Sequence, residues 1–182
     1  NIRFSPAALP AYQLRSAFSD KNATNPLSLR VEQTWLADTT NSQNYIVTEY
    51  RVVNQSDSTL TDLAVGLYAD WNIDDMASNR TGWDSVYQLG YTYDAAEKTY
   101  AGLALLTDQA INYQALDLQS LNGNTADIEG EVTEREKYTW ASEGVSSETA
   151  GAIGVGNDVA QMLAATVANI PANRGAKVAF TW

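Results

Sequence analysis

The sequence predicts an all-β fold, an antiparallel β-sandwich carrying one short helix near residues 133–143. Three observations point there. Apolar and aromatic residues recur at period two in short runs, polar or glycine-containing breakers separate the runs, and only one segment carries a clear helix-start signal.

Residues 1–27 hold three of the four prolines and little periodicity, which predicts an extended arm or linker with a first short strand around Tyr12 to Phe18. Residues 28–182 are expected to form the sandwich. From Ser28 to Ala37, Leu29, Val31, Gln33 and Trp35 share one face and Arg30, Glu32 and Thr34 the other, the pattern of a half-buried strand. Between Tyr45 and Asp75 two β-type runs flank the breaker QSDST and read as a β-hairpin. Its second arm is expected to turn Leu63, Val65, Leu67, Ala69 and Trp71 to the core and Tyr68, Asp70 and Asn72 outward.

MASNRTGWDS reads as a polar connector with room for one helical turn. VYQLGYTYDA and KTYAGLALLTD predict a second hairpin around Ala95 to Glu97, INYQALDL a shorter strand, and LNGNTAD a turn. Thr133 followed three residues later by Glu136 is a capping-box signature and Gly144 offers a stop, which places the helix. VSSETAGAIGVGN reads as a Ser- and Gly-rich loop. DVAQMLAATVANI fits helix or strand, and IPANRGAK leads into KVAFTW as a terminal hairpin. The strand pattern runs to Trp182 without a terminator and the chain opens at Asn1 without a leader, so a fragment of a longer protein is expected.

Composition narrows the chemistry. There is no cysteine, hence no disulfide or thiolate site, and no histidine, which removes the Ser-His-Asp relay and the usual zinc ligand. The formal net charge of −11 disfavours nucleic acid and anionic membrane faces and fits a soluble, often extracellular protein or one that binds cations, with plain solubility as the simpler reading. No apolar run approaches the roughly 20 residues that span a bilayer.

Asp70, Asn72, Asp74 and Asp75 offer hard oxygen ligands within one short stretch, a candidate calcium site that could borrow Asn79 or Asp84. The spacing resembles the start of an EF-hand loop, but its sixth position is Asp75 rather than Gly and its twelfth is Thr81 rather than Glu. The competing reading is a hydrogen-bonded strand end. Glu49, Asp70, Asp74 and Glu136 are candidates for a glycosidase carboxylate pair. Trp83, in a connector, is the candidate ligand-stacking ring, while the other tryptophans and the tyrosines are expected in the core. GAIGVGN lacks the Lys-Ser/Thr of a phosphate loop. Sequons at Asn22, Asn54 and Asn79 are expected in loops.

The runs YRVVNQSDSTLTDLAVGLYADWNIDD, QLGYTYD, YAGLALL, NYQALD, NDVAQ and KVAF together resemble a β-rich region downstream of the catalytic domain in secreted bacterial subtilisin-like serine proteases. The likeness lies in an N-x-S/T turn, a glycine-containing strand ending in D-W-D-I, then LGY, YAG and a late D-V. It runs from about Tyr45 to Phe180, with Asn72 in place of the second acid. The resemblance implies a secreted, non-catalytic accessory module that needs no cofactor and carries no catalytic residue. Its partners would be the catalytic domain of the same polypeptide and a protein or polysaccharide. A carbohydrate-binding module with a structural calcium, and a carboxylate glycosidase, stand as alternatives.

Overall fold

A computed structural model describes residues 11–38, 44–94, 96, 98–118, 133–151 and 155–182. In chain order the elements are β1 (Ala11–Ser19), β2 (Leu29–Asp38), β3 (Ile46–Asn54), β4 (Leu60–Ala69), a 3-10 turn (Met76–Ser78), β5 (Asn79–Asp84), β6 (Leu89–Asp94), β7 (Thr99–Leu105), β8 (Ala110–Asp117), α1 (Glu134–Ser142), β9 (Val145–Ser147), β10 (Val159–Ile170) and β11 (Gly175–Thr181). Among the described residues two sheets and one short α-helix make this the all-β sandwich class that the sequence predicts. The chain divides into two compact units. The first takes Asn1–Leu63, Leu106–Gln109 and Val167–Trp182, the second Ala64–Leu105 and Ala110–Thr166.

The first unit is an antiparallel array in the order β1-β2-β3-β11, with Leu14 opposite Trp35, Trp35 opposite Thr48 and Thr48 opposite Phe180. Val47, Val52, Val178 and Phe180 are buried, and Tyr50 meets Phe180 edge-on with ring centroids 6.1 Å apart. The strand expected around Tyr12 to Phe18 is β1.

The hairpin expected between Tyr45 and Asp75 does not form, because β3 pairs with β2 and β11 while β4 pairs with β10 in the other sheet. The QSDST turn holds the cause. Asn54, fully buried, donates from Nδ2 to Ser58 O (2.7 Å) and Ile170 O (2.9 Å), and its Oδ1 accepts from Ser56 N at 2.9 Å. That anchors the turn to the end of β10 instead of folding β4 back on β3. The terminal hairpin fails likewise: β10 pairs with β8 and β11 with β3. Period-two patterning fixes which face is buried but not which strand lies alongside.

The second unit stacks an antiparallel β5-β6-β7 meander on the sheet β4-β10-β8-β9, in which β9 runs parallel to β8. The hairpin turning near residue 96 is the β6–β7 pair. Two expectations are corrected. MASNRTGWDS supplies the anticipated helical turn but then a full strand, β5, whose inward residues include the polar Asn79 and Thr81; VSSETAGAIGVGN opens with the strand β9. β10 is a strand buried on both sides, which explains its unclear period. Met162 and Ala164 on one side pack with Ala141 of α1 and the half-buried Ala64 and Trp140. The Leu63-to-Trp71 face of β4, expected as core, is half-buried. The turn LNGNTAD lies outside the described residues.

The helix begins where the capping box places it. Thr133 Oγ1 accepts from Glu136 N at 3.2 Å and Glu136 Oε2 accepts from Thr133 N at 2.8 Å; Gly144, at φ +77°, follows the last turn. Its bonds to the Thr133 hydroxyl and backbone N–H hold the Glu136 carboxyl below its ordinary pKa. A depressed carboxylate stabilises above its unfolded pKa and loses that contribution as pH falls through the folded value. The first turn of α1 is therefore expected to fray as pH falls below the ordinary glutamate range and through the lowered folded value, seen as faster exchange of the capped amides, and Glu136→Gln should flatten that pH dependence.

Candidate functional site

The outer face of the β5-β6-β7 meander is the candidate site. Along β6, Gly90, Thr92 and Asp94 turn inward and are buried, so Tyr91 and Tyr93 turn outward. Register places Tyr93 between Arg80 and Tyr100, and Tyr91 between Gly82 and Gly102. The absence of side chains at both flanking positions gives Tyr91 room to lie across the sheet. A Cβ at Gly82 would collide with the Tyr91 ring.

The three rings form one cluster. Tyr93 and Tyr100 stack at 5.4 Å with planes 16° apart, and Tyr91 lies 5.9 Å from Tyr93 and 6.4 Å from Tyr100. Tyr100 is 61 % exposed and the other two are half-buried. Such rings offer flat apolar surface with hydroxyls at the rim, suited to stacking against a sugar or a peptide side chain.

Trp83 sits on β5 rather than in a connector. It faces the core, half-buried and stacked at 4.6 Å and 22° on Tyr113, which is fully buried and donates its hydroxyl to Gly82 O at 3.2 Å. Burial pushes the Tyr113 hydroxyl pKa up. The outward rings are thus tyrosines that the sequence assigns to the core. The available signal was the glycine next to Tyr91 in LGY and the one two residues after Tyr100 in YAG.

The residues of the acid row hold several different local roles. Asp75 caps the 3-10 turn, its Oδ1 accepting from Ala77 N at 3.1 Å, while Asp74 is exposed at φ +50° and Asn72 is exposed. Asn79, 1 % exposed, staples the segment: its Oδ1 accepts from Ile73 N (2.9 Å), and its Nδ2 donates to Ile73 O (2.7 Å) and Asp75 O (3.0 Å). Asp84 Oδ1 accepts from Val86 N and Tyr87 N. Among the described residues no three His, Cys, Asp or Glu side chains gather as metal ligands.

Asp70 feels the charge of Asp158, which sequence spacing did not connect to it. Partial burial and then the Asp158 charge raise the Asp70 pKa, and burial with both charges pushes Tyr68 up to about 12. A raised folded pKa means that ionised Asp70 destabilises above that pKa, with the penalty relieved as pH falls through it. Asp70→Asn is accordingly expected to raise Tm at neutral pH by about 1–2 °C, a small effect because the site is largely solvated. Calcium should give a similar rise in the parent protein and none in the variant; scanning calorimetry with and without calcium measures both.

Of the other carboxylates named for glycoside hydrolysis, Glu49 pairs with Lys177 at 3.0 Å and Glu136 closes the capping box, while Asp74 is exposed. Of the sequons, Asn54 and Asn79 are buried strand-end residues rather than exposed loop acceptors, and Asn22 is exposed. Comparison with protein-family models and with curated proteins finds no match.

Proposed function

We infer that the chain is a non-catalytic accessory module of a larger secreted subtilisin-like protease, and that it holds substrate polymer on the outward tyrosines of its second unit. The observation that carries this reading is the exposed Tyr100 stacked on Tyr93, with Tyr91 alongside. The motifs behind the family resemblance build this face. LGY turns Gly90 inward and Tyr91 outward; YAG sets Tyr100 beside Tyr93 and Gly102 beside Tyr91. A carbohydrate-binding module is the second reading, supported by the near-parallel Tyr93 and Tyr100 rings.

Retention on insoluble collagen and keratin, set beside chitin and cellulose, separates the two. Binding to the proteins is expected, weakened about tenfold or more when Tyr93 and Tyr100 are both changed to Ala, as for aromatic anchors generally. Retention on polysaccharide alone would transfer the function to the second reading, and retention untouched by the double change would remove the tyrosine face from both.

A further inference from the structure

The first unit carries a separate surface. Among the described residues β1 is an edge strand, paired only with β2, from Ala11 opposite Asp38 to Ser19 opposite Arg30. Its other side presents backbone N–H and C=O groups without strand partners among the described residues. Edge strands are commonly blunted by charged side chains, proline or a bulge; AYQLRSAFS has one charge, Arg15, no proline, and pairs in continuous register. Leu14 and Phe18 project from one face of it, 66 % and 55 % exposed, opposite the half-buried Trp35 and Val31.

At the Phe18 end lies a groove of about 430 Å³ lined by Ala17, Phe18, Ser19, Lys21, Arg30 and Gln55. The neighbouring carboxylates are committed. Asp20 accepts from Leu27 N at 2.5 Å and Leu29 N at 2.9 Å, and Glu32 is shared by Arg30 (3.2 Å) and Arg51 (3.0 Å). Lys21 has no carboxylate partner within ion-pair distance among the described residues. Three cations thus stand against two carboxylates, a local positive excess in a chain whose formal charge is −11.

We propose that β1 takes up an extended peptide as an added strand, with a carboxylate of that peptide held by Lys21 and Arg30 in the groove. Main-chain hydrogen bonds along β1 supply the affinity, and alternate side chains of the guest meet Leu14 and Phe18. The carboxylate sets the register, so that one end of the guest is fixed beside Phe18. It comes from an acidic side chain or from the chain terminus, two sources with the same chemistry. This proposal is independent of the tyrosine face.

Fluorescence anisotropy tests it with a labelled peptide of alternating Thr and Val that ends in Glu with a free terminus. Saturable binding is expected, weakened about tenfold by Lys21→Glu, as for a truncated charge pair, and unchanged by Tyr100→Ala. A C-terminal amide and a Glu-to-Gln peptide identify which carboxylate is held, since only the loss of the bound one weakens binding. A peptide with proline at its centre should not bind. No saturation by about 1 mM, equal binding to the Lys21→Glu protein with its circular dichroism unchanged, or equal binding of the proline peptide would each overturn the proposal. So would a concentration-dependent dimer in sedimentation that Phe18→Lys abolishes, which would give the edge to a second copy of the chain.

Discussion

Replacing Asn79 with Ala is expected to lower the unfolding free energy by about 2–4 kcal/mol, the cost of orphaning more than one buried polar group. The carboxamide is 1 % exposed and satisfies both the N–H and the C=O of Ile73, itself buried, as well as Asp75 O. Alanine supplies none of these bonds and admits little water in their place. Asn79 O also accepts from Asn157 N at 2.9 Å, a backbone bond that the substitution retains. The loss should therefore concentrate on residues 73–79. Urea denaturation measures the total, and hydrogen exchange at Ile73 locates it; a change under 1 kcal/mol, on the order of an exposed hydrogen bond, would show that the staple is dispensable.

Gly90→Ala is expected to cost about 2–3 kcal/mol, in the upper range for overpacking a well-filled interior. A Cβ at this position would overlap Cε2 of Tyr113 and Oε1 of Gln161, and would lie 3.0 Å from Tyr113 Cδ2. Neither neighbour has free space to retreat into: both are fully buried, and Tyr113 is also held by the Trp83 stack and its bond to Gly82 O. The near-UV circular dichroism of that stack should weaken along with stability. Gly144→Ala is the control. Its Cβ meets nothing within 4 Å, so any cost there comes from the φ of +77° and not from packing.

Features encoded within one turn of chain were legible in the sequence. The helix was placed because Thr133 and Glu136 make their capping bonds to each other, and most strands were placed because burial on one face leaves a period of two. Strand partners were not legible. Nothing local says that β3 lies beside β11, since the reason resides in Asn54 reaching Ile170 across the unit. β5 was missed because Asn79 and Thr81, facing the interior, are polar, and their burial rests on hydrogen bonds supplied by Ile73 and Ala150.

The candidate site followed the same division. Counting aromatics identified their abundance, but only register brings Gly82 and Gly102 to either side of Tyr91 and so turns an ordinary strand tyrosine into part of a surface. The same alternation sends Trp83 inward onto Tyr113. In the acid row, Asp70 was read with its sequence neighbours, whereas the charge that raises its pKa belongs to Asp158 just before β10.

The aromatic pairs also make the molecule self-reporting. Trp35 and Trp182 meet edge-to-face at 5.2 Å and 75° in the first unit, while Trp83 is stacked on Tyr113 in the second. Single tryptophan-to-phenylalanine replacements would assign the emission and near-ultraviolet bands to each pair, giving every unit an optical label without added dye. Coincident melting of the two signals would mark one cooperative transition, and separated melting would give each unit its own stability. Because the peptide edge and the tyrosine face lie in different units, the same two colours can also tell which surface a ligand has engaged.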